Sequence, residues 1–317
     1  MKVPTASTRE SFGITLKDLG YDNPAIVVLG GDLNISTFAS LFAKEFPDRF
    51  FDLGAAEQNM LSMAAGLAAA GKIPFCSTFA VFGTGRAFDQ IRVGIAQPQL
   101  NVKLVCTHAG VITGEDGVSA HSLEDLALMT SLPTMTVLTP ADGPETAAAV
   151  KTAAAIQGPV YIRLYRPATP VIHTGDWEFR FGQIETVKPG EDVTIAACGP
   201  MVPVALEAAA DLSTRGVSAR VLNVSTLKPL DEATLVKAAR ETGALVTVEE
   251  HYIHGGLGSA VAGVLIRQQP VPQEFVALTT YAESGKANEL LEKYGLGVTS
   301  IIAAVDRAVG RKKKSFE

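Results

Sequence analysis

Short runs of apolar, β-branched residues alternate with Ala-rich stretches of helical period along most of the chain. Ala25-Ile26-Val27-Val28-Leu29 reads as a strand, Glu57 to Ala70 as a helix and Ile73 to Phe79 as a strand again. The rhythm continues with Lys103 to Thr107 as strand, Leu123 to Leu132 as helix, Met135 to Leu138 as strand, Asp142 to Ile156 as helix and Val160 to Leu164 as strand. Strands that are apolar on both faces suit a parallel sheet covered by helices. Arg166 to Gly182 interrupts the periodicity with prolines, glycines and the chain's one tryptophan, so a linker is expected there. Beyond it, the strand-like runs Val193–Ala197, Ala219–Val224 and Ala244–Val248 alternate with helical segments from Pro203, Asp231 and Leu257. The pattern predicts an α/β chain of two domains, each a largely parallel sheet covered by helices, with boundaries at 1–165, a linker 166–182, and 183–317.

The length of 317 residues fits two domains, and 47% hydrophobic with 19% charged residues fits two buried cores. A formal charge of -6 offers no footprint for nucleic acid, whose phosphates need clustered Lys and Arg. The one basic cluster, Arg311-Lys312-Lys313-Lys314, reads as a solvated, frayed tail. With no secretion signal at the N-terminus and no apolar run of ~18 residues, a cytoplasmic protein that does not enter membranes is expected. Cys76, Cys106 and Cys198 lie in apolar stretches without C-x-x-C spacing, so buried free thiols are expected and no metal ligand set is recognised.

Phosphate loops, nucleophile elbows and H-E-x-x-H helices are absent from the sequence. The glycines of Gly255-Gly256-Leu257-Gly258-Ser259-Ala260 follow their strand too distantly to cradle a dinucleotide, and a helix N-terminus with close packing explains them better. Chemistry therefore has to come from carboxylates and histidines. In Leu53-Gly54-Ala55-Ala56-Glu57-Gln58-Asn59-Met60, Glu57 enters a helix whose following turns are nearly all apolar. A first-turn Glu is commonly a charge favoured by the helix dipole. A helix apolar on every face is expected to be buried, however, and a buried carboxyl needs a partner. Phe79 and Phe82, in Ser77-Thr78-Phe79-Ala80-Val81-Phe82, close a strand and could stack a flat heterocycle, although core packing suffices for either alone. Thr107 to Glu124 is a long Gly-rich loop after a strand, with His108, Glu115, Asp116 and His121; ligands of open parallel sheets bind at that end.

In order, Gly-Ala-Ala-Glu-Gln-Asn-Met, Ser-Thr-Phe-Ala-Val-Phe, Thr-His, Gly-Glu-Asp-Gly and Pro140-Ala141-Asp142 with Glu145 resemble the pyrimidine-binding domain of transketolases. Glu249-Glu250-His251 with the later glycine cluster extends the resemblance into the second half. It implies a transferase that moves a two-carbon ketol unit from a ketose phosphate to an aldose with thiamin diphosphate. Glu57 would bond N1' of the aminopyrimidine as the cofactor's activator, because a carboxyl in an apolar pocket is held neutral and can donate. Phe79 and Phe82 would stack on the ring, with Asp32 and Leu33 beside the cofactor. Arg9, Ser36, His108 and Arg166 resemble the sugar-phosphate grip, Asp116 the acid at a donor hydroxyl, and His121 a further substrate contact.

Two positions depart from the family pattern: Ala120 stands where it commonly has His, with His121 next, and Gly83, Thr84 and Gly85 replace a further aromatic, implying a wider pocket. The G-D-G and Asn-pair signature for diphosphate and metal is found nowhere in the sequence. The resemblance thus implies a partner chain of N-terminal type that supplies the Mg²⁺ or Ca²⁺ ligands, joined in a heterotetramer. A β subunit of a 2-oxo acid dehydrogenase shares the two-domain plan, but Arg9, His108 and Arg166 speak against it. A non-catalytic subunit is the remaining alternative, and retention of Glu57 argues against that.

Overall fold

The computed structural model describes residues 4–314. Its larger sheet has seven strands, in the order Thr226–Lys228, Thr136–Leu138, Val160–Arg163, Lys103–Thr107, Ile73–Phe79, Ile26–Gly30 and Phe50–Asp52. All neighbours pair in parallel except Thr226–Lys228, which is antiparallel to Thr136–Leu138. A strand from beyond the expected linker thus completes the first sheet. Three residues followed by a proline leave no period to read, so hydropathy does not announce it.

The second sheet runs Gln273–Leu278, Leu245–Tyr252, Val193–Ala197, Ala219–Asn223 and Glu185–Lys188, parallel except at the last strand. Both sheets are covered by helices, the arrangement their doubly apolar strands demand. One face of the first sheet packs Phe12, Leu16, Val28, Phe42 and Phe75, and the other packs Leu29, Met60, Leu61, Cys76 and Leu104. Each fully buried side chain of this size contributes about 1.5–3 kcal/mol. The three cysteines are buried and free, as their apolar surroundings predict.

One helix was not anticipated, and two local expectations need correction. The helix Thr8–Asp22 was not legible, because Thr, Lys and Gly break its stripe; Gly13 is needed there, since a Cβ would lie 2.5 Å from Phe38 O. The strand Leu245–Tyr252 runs through Glu249, Glu250 and His251, where a turn was expected. The basic C-terminal residues are no frayed tail through Lys312: the helix Val298–Lys314 covers the second sheet, Arg311 pairs with Glu274 at 2.7 Å, and Lys312 Nζ donates to Thr242 O at 2.6 Å. Lys313 and Lys314 have no described side chains. No helix among the described residues is long and apolar enough to cross a membrane.

Candidate active site

The strand ends of the first sheet gather most of the candidate residues. Glu57 is the first residue of the helix Glu57–Ala69 and is 1% exposed. Its Oε2 accepts a 2.7 Å bond from Arg86 Nη1, whose side chain is 50% exposed. Arg86 closes a π-helical turn, Val81–Arg86, that follows directly on the strand carrying Phe79. Such wide turns are rare and concentrate at functional sites. Here the turn carries both Phe82 and Arg86, and the Arg86 guanidinium lies 4.7 Å from the Phe82 ring centre. Of the three positions where a further aromatic was expected, only Gly85 borders open space, with nothing within 4 Å of a Cβ; a Cβ at Gly83 would lie 2.8 Å from Cys106 Sγ, and Thr84 is buried.

From Arg86 a row of planar groups leads inward. Phe82 and Phe79 are nearly parallel with centres 6.0 Å apart, and Phe79 stacks on His108 at 3.6 Å. His108 adopts a left-handed backbone, φ 57°, and is 3% exposed. Burial, reinforced by Arg9 and Arg166, lowers its pKa to about 3, so the ring is neutral. Burial and the neighbouring Arg166 likewise lower the pKa of Arg9. Two guanidinium groups that depress a histidine from one side form a cationic corner suited to an anion. Arg9 reaches Ser36 O at 2.5 Å and Arg166 O at 2.7 Å, which ties the residues expected to grip a phosphate into one cluster.

The loop after Lys103–Thr107 closes over this corner. Arg166 Nη1 donates to Thr113 O at 2.9 Å and to Glu115 Oε2 at 2.8 Å, with Asp116 3.9 Å from Nη2. Thr113 Oγ1 donates to His108 O at 2.7 Å. His121 is buried, its Nε2 3.0 Å from Gly114 O, and burial lowers its pKa; Nδ1 is buried without a partner. Asp32 and Leu33 lie past the end of the strand Ile26–Gly30, with Asp32 exposed at φ 66°. Asp52, not expected as a site residue, holds this edge: Oδ1 accepts from the Asp32 and Gly54 amides and Oδ2 from Asn34 Nδ2. It thereby joins the Asp32 loop to the segment that leads into Glu57. Among the described residues, no group of three His, Cys, Asp or Glu could hold a metal.

Residues 4–171 match the model of the transketolase pyrimidine binding domain, and residues 182–301 that of the transketolase C-terminal domain. The chain belongs to the transketolase family. It is 45% identical over 298 residues to a protein of Methanocaldococcus jannaschii described as a transketolase C-terminal section, covering 92% of this chain and 93% of that one. It is 42% identical to human transketolase over 94% of this chain, but spans only 48% of the human protein. A solved structure described as a split gene transketolase, inactive beta4 tetramer, superposes with a TM-score of 0.89 at 50% identity, covering 98% of this chain and all of that one. The transketolase of Campylobacter jejuni shares the fold at a TM-score of 0.82 and 21% identity, over 95% of this chain and 46% of its own.

Behind the site of this transketolase-family chain lie charge networks that sequence reasoning missed. Arg163 and Asp125 form a 2.8 Å ion pair, 1% and 0% exposed, to which Tyr161 adds a 2.6 Å bond. Asp142 caps the helix Gly143–Ala155 and accepts from the Ile172 and His173 amides. His173 lies 3.1 Å from both Asp142 and Glu185. Burial alone would lower its pKa, but bonds to Asp142 and Glu185 outweigh it and raise the value to about 10. Glu145 accepts from Asn223 across the two halves. The available signal was Pro140-Ala141-Asp142 with Glu145, which marked the family without revealing partners 30 or more residues away.

Proposed function

We propose that this chain is one half of a thiamin-diphosphate-dependent transketolase, moving a two-carbon ketol unit from a ketose phosphate to an aldose. A second chain would bring the ligands for the diphosphate and for Mg²⁺ or Ca²⁺. The observation that carries this reading is the Arg86 guanidinium. It is a planar N–C–N group that faces the Phe82 ring and donates to Glu57. An aminopyrimidine needs the same two contacts, so the residues present fit the cofactor.

Thiamin diphosphate, when bound, supplies the nucleophilic carbon that carries the two-carbon unit. The chain's residues do the rest. Arg86 would swing into solvent, which its half-exposed side chain permits, as the aminopyrimidine takes its place against the buried Glu57. With Arg86 displaced, the Glu57 carboxyl would hydrogen-bond N1' of the aminopyrimidine, and Phe82, backed by Phe79, would stack on the ring for ~1 kcal/mol beyond area burial. Asp32 and Leu33 flank the cofactor. Arg9, Arg166, Ser36 and neutral His108 hold the sugar phosphate, Asp116 meets a donor hydroxyl, and the unpartnered Nδ1 of His121 is a further acceptor for substrate.

The helix Glu57–Ala69 supports assembly with a partner. Its nearly all-apolar turns after Asn59 predict burial, yet only Glu57, Met60, Leu61 and Ala64 are buried within this chain. Met63 and Leu67 are half-covered, and Gly66 and Ala69 are exposed. An apolar, small-residue face beside the activating carboxyl suits burial against another chain in a heterotetramer. A half-site alone also accords with the inactive tetramer described for the 50%-identical structure.

The test is ketol transfer from xylulose 5-phosphate to ribose 5-phosphate with thiamin diphosphate and Mg²⁺. Activity is expected only when this chain is mixed with a transketolase N-terminal-type chain. Turnover by this chain alone would contradict the reading. Acyl transfer from an unphosphorylated oxo acid would instead support the 2-oxo acid dehydrogenase alternative.

A further inference from the structure

The Glu249-Glu250-His251 motif lies on the second sheet, outside the residues assigned above. Glu249 has a structural use: its carboxylate accepts from Leu257 N at 2.6 Å and Gly258 N at 2.8 Å, capping the next helix. Glu250 points the other way, into the first half of the chain. It is 1% exposed, and its Oε1 accepts from the Ile112 amide, with the Val111 amide also directed at the carboxyl. Gly110 has no room for a side chain there, since a Cβ would lie 2.1 Å from Glu250 Cδ. Gly110 also needs its left-handed backbone, φ 85°. The glutamate itself is fixed from behind, where Arg163 Nη2 donates to Glu250 O at 2.8 Å.

The amides of Val111 and Ile112 begin the loop that carries Thr113, Glu115 and Asp116. Thr113 in turn bonds both His108 and Arg166. A second grip comes from the same half of the chain, where Ser284 Oγ donates to Glu115 O at 2.6 Å. Without an acceptor, two buried amides would each lose a bond and the loop would shift to reach water. A shift of ~1 Å would displace Arg166 and His108 together, and misplacement on that scale costs up to about 100-fold.

We infer that Glu250 is a positioning residue for the substrate corner: its carboxyl, delivered by the C-terminal half, holds the loop that sets Arg166 and His108. Burial raises its pKa to about 8, so near neutral pH the group is largely a carboxylic acid accepting through its carbonyl oxygen. A glutamine should therefore replace it well. The inference rests on the proposed transketolase reading for its link to substrate, but not for the loop contact.

The experiment compares Glu250→Gln and Glu250→Leu. In the chain alone, amide hydrogen exchange of Val111 and Ile112 should accelerate at least tenfold in Glu250→Leu and stay within about threefold in Glu250→Gln, with Val193–Ala197 unchanged in both. In the assembled complex, Glu250→Leu should raise the KM for xylulose 5-phosphate tenfold or more, leave thiamin diphosphate affinity unchanged, and be largely rescued by Glu250→Gln. If Glu250→Leu does not fold, Ser284→Ala, at an exposed position, should speed exchange at 114–117 and raise the same KM about two- to fivefold. Unchanged loop exchange, or an unchanged donor KM in an active complex, would overturn the inference. A wild-type complex without ketol transfer would sink the proposed function, while the exchange comparison would still decide the loop contact.

Discussion

Glu57 and Asp125 are equally buried carboxylates, 1% and 0% exposed, yet they are satisfied in different ways. Asp125 bonds Arg163 and Tyr161, which are as deeply buried as it is. Glu57 bonds Arg86, half in water at the tip of a π-helical turn. The first arrangement draws its partners from within this chain, both on Asp125 Oδ2, with Oδ1 buried and unbonded. The second holds a charge against a removable partner, beside a helix whose outer apolar face is uncovered. Buried charge that is locked in place organises a fold, whereas buried charge with an exchangeable partner is available for chemistry.

The comparison breaks most clearly by deleting each acid's function. In the assembled enzyme, Glu57→Ala should lower kcat by about 100- to 10,000-fold, with a denaturation midpoint close to wild type. Arg163→Met should do the reverse to the fold, costing about 3–5 kcal/mol by stranding Asp125. Arg86→Met should cost less than the Arg163 variant in the same denaturation experiment, because Glu57 sits at a helix N-terminus beside a half-exposed residue, where water can replace the lost guanidinium. An Arg86 variant as destabilising as the Arg163 one would erase the distinction.

His173 sharpens the locked side. Its pKa is raised to about 10 in the folded chain against 6.5 unfolded, so its contribution is complete below pH 6.5 and is lost as pH rises toward 10. The stability gap between wild type and His173→Leu should therefore narrow from pH 6.5 to pH 10 in urea titrations. A gap that widened would show the histidine to be neutral in the folded protein. The smallest effect belongs to Arg86→Ala in the complex, where thiamin diphosphate should bind about two- to fivefold tighter because no ion pair has to be displaced. Calorimetry of the two complexes would detect weaker binding, which would make Arg86 a cofactor ligand.

Much of this was legible in the sequence, and what was missed has a common cause. The strands Ile73–Phe79, Lys103–Thr107 and Val193–Ala197 are doubly apolar and read directly. Glu57, Phe79 and Phe82 stood out because their motifs are local. Arg86 lies 29 residues from Glu57, and Glu250 lies 138 from the amide it accepts, so no spacing rule joins them. Hydropathy also could not tell that the Glu57–Ala69 helix is half uncovered, because an apolar residue reads alike whether its own chain or another buries it. Thr226–Lys228 was missed for a related reason: its place is set by an antiparallel pairing across the two halves.

The central claim is that this chain holds half of a thiamin diphosphate site, with Glu57 as its activating acid. Titration calorimetry of thiamin diphosphate, with Mg²⁺ present, tests it most directly on this chain alone, on its complex with an N-terminal-type chain, and on the Glu57→Ala complex. No measurable binding to the chain alone, clear binding to the complex and at least tenfold weaker binding to the Glu57→Ala complex are predicted. Tight binding by the isolated chain, or equal affinity with and without the Glu57 carboxyl, would contradict the account.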